Sequence, residues 1–488
     1  MSWLLAALAA LLAWLGFAGV GWWPLALVGF VPLFAALERA GRVSGWRVFW
    51  VGLWFGSVLW GAACHWLLFT LRTFSGLPLP VCLVLALLVF VALGGLYACF
   101  GWLFWRARRR GAPAALAAAA AIAACEWLYP RIFQGYYGAS LHELPLVVQI
   151  AELGGPLALS ALCLAVNGAL FELRVRPRAA AATAACLLAA LAYGELRTRQ
   201  VDALVQAAPR LRIGIVQPNL GALEKWSDLP ENARRLFAGT RELREFAQPD
   251  LILWPEAAWA VGVPSGLERL SDAMRAQLGT PLLFGSVVRA GSSTRNRVLL
   301  ADEQGEILGS YDKVERMPFG EYLPLADRLP PGLRALWPGR ASVEPGRDVA
   351  PLPFRGYRIS ALVCVEDLLP GFVRRVMREG TPHLLVNLTN DAWFGDSHEP
   401  WIHLALAKLR SVEQRRSLVR ATNNGVSAVI DPLGRVVAQS GSYTRETLAA
   451  EVVLLEGTTP YQTLGDWPGG LGLAAILWLA FVRRRAIS

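Results

Sequence analysis

Two hydropathy regimes divide the chain. Before residue 200 apolar positions come in long unbroken runs, and after it in short runs separated by polar helical stretches. An apolar run of roughly 17–25 residues is long enough to cross a bilayer as a helix. Seven runs near that length precede residue 200, at 3–17, 22–37, 48–69, 79–105, 113–129, 157–173 and 179–193. The first two read equally as one hairpin, and the apolar stretch 144–150 is able to extend the sixth. An eighth run, 471–482, is short and is expected to begin nearer Trp467. The start lacks the basic segment of a cleaved leader, so the first run is expected to be retained.

The connections between these runs carry an orientation signal. Loop 38–47 holds Arg39, Arg42 and Arg47, the loop after the fourth run reads RARRR, the one after the sixth reads ELRVRPR, and the tail reads VRRRAIS. Eight spans would put all four on one side. The alternate loops 70–78 and 130–156 hold only Arg72 and Arg131. Basic loops stay cytoplasmic, which predicts that the large polar region 198–461 is exported. The expected organisation is a seven-helix membrane domain at 1–197, an exported domain at 198–461, and a last helix with a basic cytoplasmic tail at 462–488.

Within the polar region, short apolar runs predict strands at 211–217, 251–254, 282–288, 297–301, 357–365, 383–388 and 427–430, with helical stretches such as 232–246 and 401–416 between them. Strands alternating with helices predict a layered α/β domain. The strand at 357–365 is apolar almost throughout and ends at Cys364, just before a short helical stretch at 371–379.

Composition agrees with a chain largely in lipid: 55% of residues are hydrophobic, mean hydropathy is +0.40 and there are 20 tryptophans. The net charge of +10 invites a nucleic-acid reading, but many arginines flank apolar runs and no basic–aromatic RNA motif or zinc spacing is present, so nucleic-acid binding is set aside. Cation usage changes the picture more. Of 47 basic residues only Lys225, Lys313 and Lys408 are lysines. A lysine is a compact charge with a tunable pKa, so each of the three is read either as codon drift or as a chemical choice.

Six of seven cysteines lie in or beside the long apolar runs, and Cys364 is the one in the polar region. It cannot pair within its domain, and reads either as an inert strand residue or as a working thiol. Glu256, Lys313 and Cys364 each fall where a strand gives way to a loop. Singly, such residues are ordinary solvated ends. Together a thiol, a carboxylate to take its proton and an ammonium to face an oxyanion form a workable acyl-transfer set. The chain has no phosphate-binding glycine loop ending in lysine.

The segments WPE, YDK followed by PFGEYLP, CVE, and NLTNDAWFG, in that order, resemble the nitrilase, or carbon–nitrogen hydrolase, superfamily. With seven apolar runs ahead and one behind, nearly the whole chain resembles the apolipoprotein N-acyltransferases, membrane-embedded members of that superfamily. The resemblance implies an αββα sandwich joined to about eight transmembrane helices, in a multi-pass protein of the bacterial inner membrane with its catalytic domain in the periplasm. It implies Glu256 as general base, Lys313 as oxyanion stabiliser and Cys364 as nucleophile, with no metal and no cofactor. It further implies Glu321, Glu366 and Asn296 as supporting residues and Trp226 as a residue of substrate engagement. Two departures stand out: Val365 follows the cysteine where many members have tyrosine, and 135–138 reads GYYG rather than Gly-Phe-Pro-Trp.

The implied reaction moves an acyl chain from the sn-1 ester of phosphatidylethanolamine, through a Cys364 thioester, to the free amine of a diacylglyceryl-modified apolipoprotein N-terminus. The alternatives are a membrane-tethered amidase that resolves the acyl-enzyme with water, and a receptor whose nitrilase-like domain only binds. Two hydrophobic segments, 317–338 and 392–401 with Trp393 and Phe394, read either as arms at a lipid entrance or as packed loops. Glu126 reads as a functional intramembrane charge or as an interfacial residue beside Trp127 and Tyr129, the second being preferred. His65 reads as a helix-packing residue, and His383, His398 and His403 show no metal spacing.

Overall fold

The structure is a computed structural model and describes residues 1–482 apart from 222, 291–292, 329, 331 and 333–342. Most of the segment 329–338, part of the expected arm at 317–338, and the basic tail 483–488 therefore lie outside the described residues.

The first half is helical: α1 (Ser2–Leu15), α2 (Val31–Gly41), α3 (Gly45–Ala63), α4 (Leu67–Ser75), α5 (Leu79–Arg109), α6 (Ala114–Leu128), α7 (Ala151–Glu172) and α8 (Pro177–Ala207). Among the described residues four helical segments, Trp23–Gly41, Leu79–Arg109, Val147–Glu172 and Pro177–Ala207, are long and apolar enough to cross a membrane. Helices α3 and α4 add a fifth only if their 63° bend is taken as one broken span. Three further apolar helices, Ser2–Leu15, Ala114–Leu128 and Trp467–Phe481, are shorter. The last begins at Trp467, as expected, and the short 3-10 turn Val147–Ile150 leads straight into α7.

Small residues let these helices approach closely. A Cβ on Gly56 would fall 2.7 Å from the Gly94 backbone, so α3 and α5 meet where neither has a side chain. Glu126 is buried inside the protein, 2% exposed, and accepts a hydrogen bond from Tyr137 N at 2.8 Å, because the chain folds back over it after α6. One expectation fails here. His65 is not packed between helices but exposed in the break between α3 and α4.

The basic connections gather at one end of the bundle. Arg108 of α5 pairs with Glu38 of α2 at 2.9 Å and with Glu172 of α7, while Arg110 donates to the carbonyl of Val482 at 2.9 Å. The α/β domain sits at the opposite end, where α4 meets residues 393–395.

That domain holds two six-stranded sheets. The first has the order β12 (Glu446–Val453), β1 (Arg210–Gln217), β2 (Leu251–Val263), β3 (Leu282–Ala290), β4 (Ser293–Ala301), β5 (Ile307–Asp312). The second runs β11 (Val436–Gln439), β10 (Ala428–Ile430), β9 (Ser417–Thr422), β8 (Leu384–Thr389), β7 (Tyr357–Val363), β6 (Leu352–Phe354). Parallel pairs β1–β2–β3 and β7–β8–β9 form the two centres. Ile213, Leu253 and Leu283 from one sheet and Ala361, Val386 and Val419 from the other form the core between the sheets.

Helix α9 (Leu229–Phe246) covers the outer face of the first sheet; α10 (Pro370–Gly380) and α11 (Glu399–Gln414) cover the second. The layers are therefore αββα. Helix α12 (Trp467–Phe481) then returns along α6.

Candidate active site

Cys364 is the first residue after β7 and opens a single 3-10 turn, Cys364–Leu368. Its φ is +55°, a left-handed conformation unusual for a residue with a side chain, held by the neighbouring strand. Asn387 of β8 donates its Nδ2 to the Cys364 carbonyl at 2.9 Å. Glu366, fully buried two residues on, locks the turn from inside. Its Oε2 accepts from Val363 N at 2.6 Å, and its Oε1 from Tyr311 OH at 2.8 Å, Val314 N at 2.7 Å and Glu315 N at 2.9 Å. The same carboxylate thus ties the cysteine turn to the loop carrying Lys313. Burial raises the Glu366 pKa to about 7, against the pull of those donors and of Lys313.

Glu256 reaches the same place from the other sheet. Between Trp254 and Trp259 the β2–β3 register slips, and Ala257 takes φ +47°. Such a bulge re-aims a side chain, and Gly285 makes room for it, since a Cβ there would lie 2.5 Å from Ala257 N. Asn296 of β4 donates to Glu256 Oε1 at 2.7 Å. Lys313, 1% exposed just past β5, places its Nζ 3.5 Å from the same oxygen and 2.8 Å from Glu321 Oε1. Glu321 Oε2 accepts from Met317 N at 2.8 Å.

These charges act on one another. Burial works against the Lys313 ammonium, but Glu321, a Cys364 thiolate and Glu256 hold its pKa well above the ordinary lysine value. Burial and Glu256 push the Cys364 thiol well up, Lys313 opposing, with Glu321 and Asp391 adding to the rise. A buried thiol in the combined field of a carboxylate and an ammonium can attack an acyl carbon as its proton leaves for the carboxylate.

Behind the turn lies a second buried charge cluster. Asp367 Oδ1 meets His403 Nε2 at 2.8 Å, and Asp367 Oδ2 accepts from Arg420 Nη1 at 2.6 Å. Asp391, Glu399 and His403 bring potential ligand atoms within 4.8 Å of one another. Arg420 Nη2 already stands 3.6 Å from Asp391. Burial and Arg420 oppose the His403 imidazolium, yet Asp367 raises its pKa to about 9. Arg420 and His403 offset two of the three carboxylates, while burial raises the third, Glu399, to a pKa of about 8.

The sequence-derived residues do not all converge. Glu256, Asn296, Lys313, Glu321, Cys364 and Glu366 form one connected cluster. Trp226, 43% exposed, stands beside it through Lys225. Trp393 and Phe394 dock instead on the membrane-side helix α4. Thr70 Oγ1 donates to the Trp393 carbonyl at 2.7 Å, Phe74 packs against Trp393 with centroids 4.0 Å apart and rings tilted by 39°, and Trp66 meets Phe394 at 4.7 Å. Beside them His65, Trp66, Phe69, Arg72 and Phe394 line a cavity of about 540 Å³.

Comparison with known proteins agrees along the whole chain. Residues 9–169 match the family model for the apolipoprotein N-acyltransferase N-terminal domain, and residues 203–459 match that for the carbon–nitrogen hydrolases. An apolipoprotein N-acyltransferase of Pseudomonas putida is 32% identical over 483 residues, covering 95% of this chain and 93% of the relative. One from Azotobacter vinelandii is 34% identical over 492 residues, covering 95% and 92%.

The chain belongs to the apolipoprotein N-acyltransferase family.

Among solved structures, an amidase from Nesterenkonia sp. is similar at 24% identity, covering 52% of this chain and 92% of that one with a TM-score of 0.36. Set against the family's sequence pattern, three site residues went unassigned: Tyr311 and Asn387, both inside motifs quoted above, and Lys225, whose rarity as a lysine was its signal.

Proposed function

We propose that this member of the family catalyses N-acylation of lipoproteins, moving an acyl chain from the sn-1 ester of phosphatidylethanolamine to the α-amine of an N-terminal diacylglyceryl-cysteine. In the first half-reaction the Cys364 sulfur bonds to the ester carbonyl carbon as its proton passes to Glu256. The C–O bond then breaks and the lysophospholipid alcohol leaves with that proton. In the second, the acceptor amine attacks the thioester, Glu256 takes a proton from the nitrogen and passes it to the sulfur as the C–S bond breaks, and Cys364 leaves as a thiol. Lys313, braced by Glu321, faces the oxyanion in both. Asn296 orients Glu256, and Glu366 holds the cysteine turn and the lysine loop in register. No ATP is required, since the acyl group arrives as an ester.

One observation carries the reading: Cys364, in a left-handed turn at a strand end, lies in the combined field of Glu256 and Lys313. The family's membrane helices give that thiol access to lipid-borne substrates. We read 1–197 as the membrane domain, 198–461 as the catalytic domain and 462–488 as the returning helix and tail. Gathering of Glu38, Arg108, Arg110, Glu172 and Val482 at one end supports a cytoplasmic assignment for that end and a periplasmic one for the opposite, catalytic end. Trp226, Trp393 and Phe394 are read as substrate-side residues around the entrance.

Intact-mass measurement of the purified full chain after exposure to phosphatidylethanolamine tests this. One added acyl mass on wild type, absent from Cys364→Ser and discharged by a diacylglyceryl lipopeptide, is expected. Prompt release of free fatty acid without lipopeptide would instead indicate a hydrolase.

A further inference from the structure

Lys225 is one of only three lysines in a chain of 47 basic residues, and it is buried. It sits on the short helix Glu224–Ser227 with 4% exposure. Its Nζ donates to the backbone carbonyl of Glu256 at 3.4 Å and stands 5.2 Å from the Trp226 ring centroid. No carboxylate pairs with it among the described residues, although an ammonium carries three donors. A buried cation with one long hydrogen bond is costly to keep. Burial accordingly lowers its pKa to about 8, with Glu256 and a Cys364 thiolate both acting to keep it charged.

The need for it is visible in the charges around the sulfur. Glu256, Glu321 and Asp391 all oppose ionisation of Cys364, and Lys313 favours it. Lys313 is itself engaged by Glu321 at 2.8 Å. One shared ammonium therefore stands against three acids.

We propose that Lys225 is a positioning residue of the acylation site: it pins the backbone of Glu256 and supplies a second positive charge that lets Cys364 ionise beside that carboxylate. The proposal rests on Cys364 being the acyl carrier. Arginine would stay charged under all conditions, whereas a buried lysine can give up its proton. When the thiolate becomes a neutral thioester, Lys225 loses one of the two charges that hold its proton.

The test reads the sulfur directly. Full-length protein in detergent is treated with iodoacetamide between about pH 6 and pH 9.5, and alkylation of the Cys364 peptide is followed by mass spectrometry. Lys225→Gln keeps a donor for the Glu256 carbonyl but removes the charge. It is expected to react about tenfold more slowly than wild type below pH 7.5, equivalent to about one pKa unit on the thiol. The gap should close above about pH 9, where the wild-type lysine is itself neutral. Lys225→Arg should stay within about twofold of wild type at low pH and show no such closing. Identical Lys225→Gln and wild-type profiles overturn the proposal, as does a gap of constant size, which marks a structural effect. If Lys225→Gln does not fold, wild type alone must show an inflection near pH 8 that Lys225→Arg lacks, and one smooth limb in both overturns it. Failure of phospholipid to load Cys364 would defeat the acyl-transfer reading while leaving these profiles unaffected, so the two failures are separable.

Discussion

Asn387 Nδ2 holds the carbonyl of Cys364 at 2.9 Å from the neighbouring strand, so the left-handed turn is fixed from outside as well as by its own residues. Asn387→Ala leaves that carbonyl unpaired in a buried place, which costs about 1–3 kcal/mol. Acyl loading should fall about 10–100-fold as the sulfur loses its aim. Melting temperature and loading rate measured together check this, and an unchanged rate would remove Asn387 from the site.

Glu256→Gln keeps an oxygen for Asn296 and the same volume, so the fold should survive. If Glu256 is the proton acceptor as proposed, loading of Cys364 from phospholipid should drop at least about 100-fold, the usual scale for a general base. Single-turnover acylation followed by intact mass is the measurement. A loss below threefold would point to another base.

Glu366→Gln sets an amide NH2 against backbone donors, because both carboxylate oxygens already accept N–H bonds. Repulsion there separates the cysteine turn from the lysine loop. Destabilisation of about 2–4 kcal/mol and near-complete loss of loading are expected, with Glu366→Asp no better because it cannot span both. Denaturant unfolding beside the acylation assay tests the pairing of the two losses.

His403 gives the stability a pH dependence of known sign. Burial and Arg420 act against its charge, but Asp367 raises its pKa from 6.5 to about 9. Its stabilisation is then complete below about pH 6.5 and lost as pH rises through about 9. Glu399, which burial raises to about 8, works in the same direction. Thermal stability should therefore decline by ~1–3 kcal/mol from pH 6.5 to 9.5, and His403→Gln should flatten that decline. A profile that rises across this range would contradict the assignment.

Trp393→Ala removes the packing against Phe74 and loosens the segment that α4 now holds. Turnover of phospholipid should suffer about tenfold while a short soluble thioester or aryl ester reacts nearly as in wild type. Equal losses on both would reduce Trp393 to a packing residue.

Much of the fold could be read because the central strands are apolar on both faces. In β7, Ile359, Ala361 and Val363 point into the inter-sheet core and Leu362 into the helical layer, which is why 357–365 stood out. The strand ends at Val363, two residues short, where the cysteine turn begins. Strand β9 was hidden because its Arg420 breaks the apolar signature, and 401–416 absorbed its approach as helix. Arg420 is tolerated there only through Asp367 and Asp391, partners that sequence separation conceals. β5, β6, β11 and β12 were missed for a plainer reason: they are short or half-exposed, so no strong pattern marks them.

At the site, Lys313 and Cys364 were legible as chemistry at a strand end. Glu256, expected at the end of a strand over 251–254, lies instead at a bulge inside the longer β2. Residues defined by what folds onto them were not legible. Glu126 became buried by a returning segment, and His65 was uncovered by a break in a helix. The segment 392–401 is bound to α4 through backbone and rings rather than standing free.

Helix α11 serves two cores at once. Ile402, Leu406, Leu409 and Val412 belong to the apolar cluster of the membrane helices, while Leu404 and Ala407 belong to the sheet layer. Just past its end Arg415 is clasped by Glu152 of α7, which Arg197 of α8 also holds. A joint of this kind resists a swivel of one half on the other, since severing the two would expose a greasy helix flank and strand an arginine. On the proposed function, substrates would come to a fixed workbench, with side chains and short loops rather than the whole domain opening for them.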